Sequence, residues 1–254
     1  TPEMLADVRL FIFGGEGFPV HLLKQFYYKF ETCARFVNVY GPTECSCICS
    51  SFDVTPTALK DAKNGLLPLG HLNPGFDYKI MDDEGFVVAA GELGELWLSG
   101  SGVGLGYINK SDMTKKSFRN IVGEDGALIT YYKTGDLVRE ATNGLGLEYA
   151  GRSDNQVKIR GHRIELEEID YAIMSFHGIS RALTVTSVGK DDIQEIVSVY
   201  CSVSEVDEDE LHEYCCAKLP LYMVPSRFLA LDEMPTNANG KADRRALKNF
   251  LEAI

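Results

Sequence analysis

A strand, a helix and a second strand are predicted within the first forty residues, and this order constrains the fold more than any other feature. Mostly apolar runs cover residues 9–13 and 36–40, and a glycine follows each run. Residues 20–30 between them carry apolar side chains at helical spacing, namely Leu22, Leu23, Phe26 and Phe30. A strand, helix and strand of this combined length predict one βαβ unit.

Two further stretches differ from this first one. Residues 70–107 contain short apolar runs broken by glycine-rich turns, which predicts antiparallel, barrel-like β structure. Beyond residue 155 we predict a strand turning at Gly161, a helix over 166–176, strands over 182–188 and 196–203, and a helix over 208–219 capped by Asp207. We therefore expect a mixed α/β and α+β chain with two domains, residues 1–153 and 154–254.

Charge and hydropathy exclude several classes of function. Lys and Arg number 25 against 37 Asp and Glu, a net charge of −12, which argues against general binding to nucleic acid or anionic membranes. No apolar run approaches the ~18 residues of a membrane helix, and the first residues lack the pattern of a signal peptide. We expect a cytoplasmic protein.

Seven cysteines occur without a Cys-x-x-Cys pair, which is consistent with a reducing compartment. Cys45, Cys47 and Cys49 alternate, so on a strand they would share one face. Such a row is either a soft-metal site or, more simply, a set of small buried side chains.

A polar cluster, Asn-Val-Tyr-Gly-Pro-Thr-Glu, occupies residues 38–44 directly after the second predicted strand. The Thr43 hydroxyl suits a phosphate oxygen, and the Glu44 carboxylate suits Mg²⁺. Tyr40 offers a flat face to a nucleobase. The simpler interpretation is a turn with a capping threonine.

Three more clusters are ambiguous when each is taken alone. Asp136 follows a glycine and could accept hydrogen bonds from ribose hydroxyls, although Gly-Asp is also a common turn. Residues 151–163 carry Lys158, Arg160 and Arg163, which would ordinarily form a solvated strand face. Lys241 follows Asn-Gly, where most lysines are simply exposed. The glycine-rich residues 100–107 match no phosphate-loop pattern and predict a crowded turn.

The order and spacing of these clusters resemble the adenylate-forming superfamily, most closely its amino-acid adenylation domains and D-alanine–carrier protein ligases. The resemblance covers essentially the whole chain. The matching stretches are FGGE (13–16), NVYGPTE (38–44), GELWLSGSGVGLGYIN (94–109), YKTGDL (132–137), GRSDNQVKIRGHRIELEEID (151–170), LPLYMVP (219–225) and NGKADRRAL (239–247).

The resemblance implies the C-terminal part of the large AMP-binding domain, a βαβ unit plus a distorted β-barrel, followed by a small α+β lid domain. It also implies an ATP- and Mg²⁺-dependent ligase. Such an enzyme makes an acyl-adenylate from an amino acid or small carboxylic acid. It then transfers the acyl group to the phosphopantetheine thiol of a carrier protein.

The resemblance also implies roles for individual residues. The catalytic and metal-binding positions would be Lys241 at the forming adenylate, Thr43 at phosphate and Glu44 at Mg²⁺. The nucleotide-binding positions would be Gly15, Glu16, Tyr40 (stacked on adenine), Gly41, Asp136 (on the ribose hydroxyls) and Arg152. Asp154 would be the hinge, and Gly161 would lie at the thiol channel.

The acyl pocket would be lined by small or medium uncharged side chains, which favours a modest apolar amino acid. The candidates are Ile12, Gly14, Val39, Cys47 and Ile48. The basic face of Lys158, Arg160 and Arg163 would attract an acidic carrier protein.

One departure from the family pattern stands out, because nothing in the chain matches the Ser/Thr/Gly-rich phosphate loop expected before residues 13–16. We therefore expect a C-terminal fragment or a truncated relative that does not catalyse adenylation by itself. The alternatives are an acyl-CoA synthetase and a non-catalytic module that binds a carrier protein.

Overall fold

The computed structural model describes residues 5–17, 20–61, 65–123, 125–189, 194–236 and 242–252. The chain divides into two compact units, Thr1–Asp154 and Asn155–Ile254.

The first unit begins with a four-stranded sheet. Its elements are β1 (Leu10–Phe13), α1 (Val20–Phe30), β2 (Arg35–Tyr40), β3 (Ser50–Asp53), α2 (Pro56–Asp61) and β4 (His71–Leu72), and the strand order is β1-β2-β3-β4. β1 and β2 pair in parallel, whereas β3 pairs antiparallel with both β2 and β4. The parallel pair joined by α1 is the βαβ unit that the sequence predicts.

Helix α1 covers one face of this sheet through a cluster of aromatic and aliphatic side chains. The Phe11 ring lies 4.9 Å from that of Phe26 and 5.0 Å from that of Phe36, measured between ring centroids. The prediction for Leu22 is wrong, because this side chain is 43% exposed. The buried stripe of α1 instead consists of Val20, Leu23, Tyr27 and Phe30.

The second sheet of this unit is antiparallel throughout, as predicted for residues 70–107. It comprises β5 (Phe76–Met81), β6 (Gly94–Gly100), β7 (Phe118–Val122), β8 (Leu128–Glu140) and β9 (Leu147–Arg152), with α3 (Ser111–Ser117) preceding β7. β8 is 13 residues long, and it pairs with β6, β7 and β9. The side chains of Leu96, Leu98 and Tyr132 are almost fully buried beneath the sheet.

The second unit is an α+β arrangement. A hairpin of β10 (Gln156–Ile159) and β11 (His162–Glu165) leads into α4 (Leu166–Met174), and a three-stranded sheet follows. The remaining elements are β12 (Ile179–Val188), β13 (Gln194–Ser202), α5 (Glu208–Lys218), β14 (Arg227–Ala230) and α6 (Arg244–Glu252). The Asp207 carboxylate accepts hydrogen bonds from the Asp209 and Glu210 amides, so it caps α5 as predicted.

The three alternating cysteines do not lie on a strand, so the prediction that they share a face is wrong. Thr43–Cys45 forms a 3₁₀ turn, and Ser46 and Cys47 have φ angles of 60° and 74°. Cys45 and Cys49 are buried, whereas Cys47 is exposed. Across the described part of the chain, His, Cys, Asp and Glu form no group of three or more that could hold a metal ion.

Among the residues described above, no helix combines the length and the apolar character that crossing a membrane requires.

Candidate functional site

The centre of the candidate site is an irregularity in the pairing of β6 with β8. Glu95 pairs with Leu137, but Trp97 pairs with Lys133, so Leu96 faces three residues of β8, 134–136. The backbone of this bulge turns through Gly135, whose φ angle of 73° favours glycine. The Thr134 hydroxyl donates to the Leu96 carbonyl at 2.7 Å and accepts from the Asp136 amide at 3.0 Å.

The bulge places the Asp136 carboxylate between two donors. Asp136 is 3% exposed, and Arg152 Nη1 lies 2.6 Å from its Oδ1 atom. The Tyr40 hydroxyl, at the end of β2, donates to the Oδ2 atom. β9 sets the arginine opposite the aspartate, because Asp136 and Arg152 are direct partners in the β8–β9 pairing. The orientation of this carboxylate is therefore fixed from two strands.

The electrostatics of the neighbours follow from this arrangement. Burial, the Asp136 charge and the hydrogen bond to Asp136 raise the pKa of Tyr40 well above 10.0. Burial and the same charge raise the pKa of Tyr149 to about 12. Burial opposes the charge of Arg152, but hydrogen bonds to Asp154 and the charges of Asp136 and Asp154 outweigh it and raise the arginine pKa. Both tyrosines are neutral near pH 7, and Arg152 is positively charged.

Arg152 also holds the end of the first unit. Its Nε and Nη2 atoms lie 2.6 Å and 2.8 Å from the two carboxylate oxygens of Asp154. The arginine thus links Asp136, the predicted ribose ligand, to Asp154, the predicted hinge. A Cβ atom on Gly135 would lie 2.5 Å from Arg152 Nη2, so a larger residue at position 135 would displace the guanidinium.

The second part of the candidate site is the turn that carries Thr43 and Glu44. A Cβ atom on Gly41 would lie 2.3 Å from the Cys47 carbonyl oxygen, so glycine allows the chain to fold back tightly here. Thr43 is exposed, and the Glu44 side chain is half-buried. The Tyr107 hydroxyl donates to Glu44 Oε1 at 2.6 Å, and burial together with this bond raises the tyrosine pKa.

A half-buried carboxylate on a fixed turn fits the part that proteins play in binding Mg²⁺. This cation keeps several waters and is usually bound through one or two carboxylates together with substrate phosphates. Glu44 meets this requirement by its chemistry, and Thr43 next to it supplies a hydroxyl suited to a phosphate oxygen.

The glycine-rich residues 100–107 form the crowded turn that the sequence predicts, and they also support Glu44, which the sequence does not reveal. The Gly104 amide donates to the Glu44 carbonyl oxygen at 2.8 Å, and the Gly102 carbonyl accepts from the Ser46 hydroxyl at 2.9 Å. A Cβ atom on Gly102 would lie 2.4 Å from the Phe76 ring. The segment therefore fixes the backbone of the turn that carries Glu44.

The predicted acyl-pocket residues lie on or near the first sheet. Ile12 on β1 and Val39 on β2 lie on the face opposite α1, and Ile12 is 56% exposed. A Cβ atom on Gly14 would lie 2.6 Å from Val39 Cγ2, so these two positions adjoin. Cys47 and Ile48 are exposed beyond the turn, as are Gly15 and Glu16 after β1. Their roles in binding stay predictions.

In the second unit, Gly161 shares a two-residue hairpin turn with Arg160. Their φ angles are 78° and 51°, the left-handed values typical of a tight turn between twisted strands. Lys158 and Arg163 are direct partners in the β10–β11 pairing. Lys241, the predicted catalytic lysine, lies outside the described residues. Thr236 and Ala242, on either side of 237–241, form an isolated antiparallel bridge.

The chain matches known proteins in both sequence and fold. The model of the AMP-binding enzyme family matches residues 1–108. The chain is 34% identical over 254 residues to D-alanine–D-alanyl carrier protein ligase from Bacillus licheniformis, covering 98% of this chain and 49% of that protein. It is 35% identical over 249 residues to tyrocidine synthase 3 from Brevibacillus parabrevis, covering 98% of this chain and 4% of that protein.

The fold also matches the adenylation domain AlmE of Vibrio cholerae in complex with glycyl-adenosine-5′-phosphate. The TM-score is 0.82 at 25% identity, over 100% of this chain and 46% of that one. The family model, the relatives and the solved structures together support the adenylate-forming superfamily that the sequence resembles. The structural matches confirm the α/β fold class predicted from the sequence. The chain spans about half the length of the ligase and a small part of the synthase.

Proposed function

We propose that this chain is part of an ATP-dependent ligase that activates an amino acid, or another small carboxylic acid, as an acyl-adenylate. The ligase then transfers the acyl group to the phosphopantetheine thiol of a carrier protein. The match to the AMP-binding enzyme family supports the use of ATP. One relative, the D-alanine–D-alanyl carrier protein ligase, is named for a carrier protein, and this supports a carrier protein as the acceptor.

The geometry of Asp136 is the observation that carries this proposal. A carboxylate has about four lone-pair directions, and Arg152 and Tyr40 each occupy one. The remaining directions suit two neighbouring hydroxyl groups such as those of a ribose. Because the carboxylate is already fixed and stripped of most water, binding a ribose does not require it to reorganise.

Glu44 and Thr43 are proposed to face the phosphates. When Mg²⁺ is bound at Glu44, it neutralises part of the negative charge on the nucleotide phosphates. The Tyr107 hydrogen bond orients the Glu44 carboxylate for this task, and the Thr43 hydroxyl donates to a phosphate oxygen. Tyr40 is 7% exposed, and its role in stacking on adenine stays a prediction.

The pocket candidates favour a small apolar acyl group, because Ile12, Gly14, Val39, Cys47 and Ile48 are all uncharged. Lys241 is proposed to stabilise the charge that develops between the attacking carboxylate and the α-phosphate. Lys241→Ala should then abolish most adenylation and leave thioester formation largely intact. Equal loss of both half-reactions would contradict that role.

The hairpin of β10 and β11 is proposed to attract the carrier protein through Lys158, Arg160 and Arg163. Arg160 and Arg163 are exposed, and opposite charge across an interface accelerates association. Charge reversal at Arg160 and Arg163 should raise the Michaelis constant for the carrier protein without changing that for ATP. An unchanged constant for the carrier would contradict the docking role.

The proposed activity is tested by ATP–pyrophosphate exchange with a panel of amino acids. The assay is run on the 254-residue chain and on the same chain extended by any sequence encoded directly upstream. Exchange with one or a few amino acids in either protein supports the ligase. Exchange in neither protein, together with binding of a carrier protein, would favour a non-catalytic binding module instead.

A further inference from the structure

Glu95 is the one charged residue of β6, and its carboxylate contacts the bulge of β8. The Gly135 amide donates to Glu95 Oε1 at 2.9 Å. The Trp97 indole donates to Oε2 at 3.0 Å, and Lys133 Nζ lies 3.6 Å from the same oxygen. The side chain of Glu95 is 19% exposed.

These contacts compensate for what the bulge disrupts. In the β6–β8 pairing, Leu96 faces three residues, so this ladder cannot supply a backbone partner to every one of their amides and carbonyls. Two side chains replace the missing partners. The Thr134 hydroxyl accepts from the Asp136 amide and donates to the Leu96 carbonyl, and the Glu95 carboxylate accepts from the Gly135 amide. A buried amide without a partner would destabilise this conformation strongly.

The indole and the ammonium in turn fix Glu95. Lys133 Nζ lies 5.1 Å from the centroid of the Trp97 ring, so the cation contacts both the ring and the carboxylate. Glu95 therefore has one oxygen directed to the bulge and the other held by Trp97 and Lys133. This arrangement makes the carboxylate a rigid support for Gly135.

We propose that Glu95 is a positioning residue for nucleotide binding. Through the Gly135 amide it holds the left-handed turn, and that turn aims the next side chain, Asp136, at its ligand. The part of this inference that concerns the nucleotide rests on the proposed ribose-binding role of Asp136. The part that concerns the backbone does not.

The first test measures the backbone directly. Amide hydrogen exchange, measured by NMR, is compared between the wild-type chain and the variants Glu95→Ala and Glu95→Gln. The control is Glu140→Ala, because the Glu140 carboxylate lies in the same sheet but accepts from the Tyr78 hydroxyl instead of the bulge. We expect the Gly135 amide to exchange at least about tenfold faster in Glu95→Ala. Glu95→Gln keeps an acceptor for this amide and should restore most of the protection, and Glu140→Ala should not change it.

The second test measures the ligand. The ratio of affinities for AMP and 2′,3′-dideoxy-AMP is determined by calorimetry for the same variants and for Asp136→Asn. We expect Glu95→Ala to reduce this ratio about threefold while Glu140→Ala leaves it unchanged. A merely structural glutamate would lower the affinity for both nucleotides equally.

The outcomes separate the two claims. Unchanged protection of Gly135 in Glu95→Ala overturns the inference. Faster exchange with an unchanged ratio overturns the positioning role, and the ribose role of Asp136 then stands if Asp136→Asn lowers the ratio. If the wild-type chain does not distinguish the two nucleotides, the ribose role fails and the functional half of the inference fails with it.

Discussion

The two units each contain a buried arginine–aspartate pair, and the two pairs are built differently. In the first unit Arg152 contacts Asp136, which is 3% exposed. In the second unit Arg244 contacts Asp170, which is 6% exposed. The chemical groups are the same, so the differences lie in the backbone beneath them and in their other partners.

Asp170 lies within the regular helix α4 and joins three elements. Its Oδ1 atom accepts from the Thr184 amide of β12 at 2.6 Å. Arg244, at the start of α6, donates to Asp170 and also to the Thr184 carbonyl at 3.0 Å. Each of these contacts joins two of the three elements α4, β12 and α6, so the pair acts as a structural staple, meaning a polar contact that holds elements of the fold together.

Asp136 instead follows a left-handed glycine on a bulge, and Tyr40 and Arg152 hold its carboxylate in one orientation. Bulges occur next to functional sites because they aim a side chain in a direction that a regular ladder does not allow. The comparison teaches that burial and ion pairing do not by themselves mark a functional carboxylate. The irregular backbone beneath it distinguishes Asp136 from Asp170.

The largest expected effect tests the staple. Arg244→Leu should lower the free energy of unfolding by about 3 kcal/mol or more, because it leaves the Asp170 carboxylate buried without its cation. Chemical denaturation of the second unit measures this change. Arg227→Leu is the matched control, since Arg227 pairs with Glu195 at 3.4 Å but is 50% exposed, and it should cost at most about 1 kcal/mol. Equal losses in the two variants would contradict the contrast.

The next effect concerns pH. Burial raises the pKa of Asp170 from 3.8 to about 6, although the Arg244 charge partly offsets this. The folded state therefore holds the proton more tightly than the unfolded state does. This contribution is fully present below about pH 4 and is lost as the pH rises through about 6, a decrease of up to about 3 kcal/mol.

Unfolding measured between pH 4 and 7 on the wild-type chain and on Asp170→Asn tests this prediction. The variant should lack the decrease, although it is less stable throughout. Identical slopes in the two proteins would show that Asp170 does not titrate in this range.

Two glycines with left-handed backbone sharpen the comparison. Gly135→Ala adds strain and a Cβ atom 2.5 Å from Arg152 Nη2, so nucleotide affinity should fall at least about tenfold. Gly161→Ala adds similar strain at φ 78°, but nothing lies within 4 Å of its Cβ atom. It should lower stability by about 1 kcal/mol and leave AMP affinity unchanged. Calorimetric titration with AMP measures the affinity of both variants. Equal affinities would show that displacing Arg152 does not weaken nucleotide binding.

The smallest effect concerns Glu44. Glu44→Gln keeps the shape of the side chain and an acceptor for Tyr107 but removes the charge. The increase in ATP affinity that Mg²⁺ causes should therefore become smaller, by about tenfold or less. ATP titrations at several Mg²⁺ concentrations measure it. Glu92→Gln is the control, because this exposed glutamate accepts from the Ala89 amide in a separate turn. An unchanged Mg²⁺ dependence in Glu44→Gln would remove Glu44 from the metal site.

Much of the fold follows from the sequence because it depends on local patterns. The βαβ unit, the strands of the second unit and the Asp207 cap all require only periodicity and a capping side chain within a few residues. The prediction that the three alternating cysteines lie on a strand also used only a local pattern, and it was wrong. Alternation predicts a strand, but left-handed residues at Ser46 and Cys47 turn the chain instead.

The candidate site was predictable only in part. Asp136 and Glu44 stand in recognisable clusters, so their types and positions suggest their chemistry. The bulge could not be predicted from the sequence, because it depends on how β8 pairs with β6, β7 and β9. Pairing between residues so far apart in the chain leaves no local sequence pattern. Glu95 left one signal, a carboxylate beside a run of apolar residues, Leu96 to Leu98, on a strand.

The central claim is that Asp136 binds the ribose hydroxyls of a nucleotide. Its most direct test is the ratio of affinities for AMP and 2′,3′-dideoxy-AMP, measured by calorimetry on the wild-type chain and on Asp136→Asn. We predict that the wild-type chain prefers AMP at least about tenfold and that the variant prefers it less than about threefold. The same preference in both proteins, or no preference in the wild-type chain, would contradict the claim.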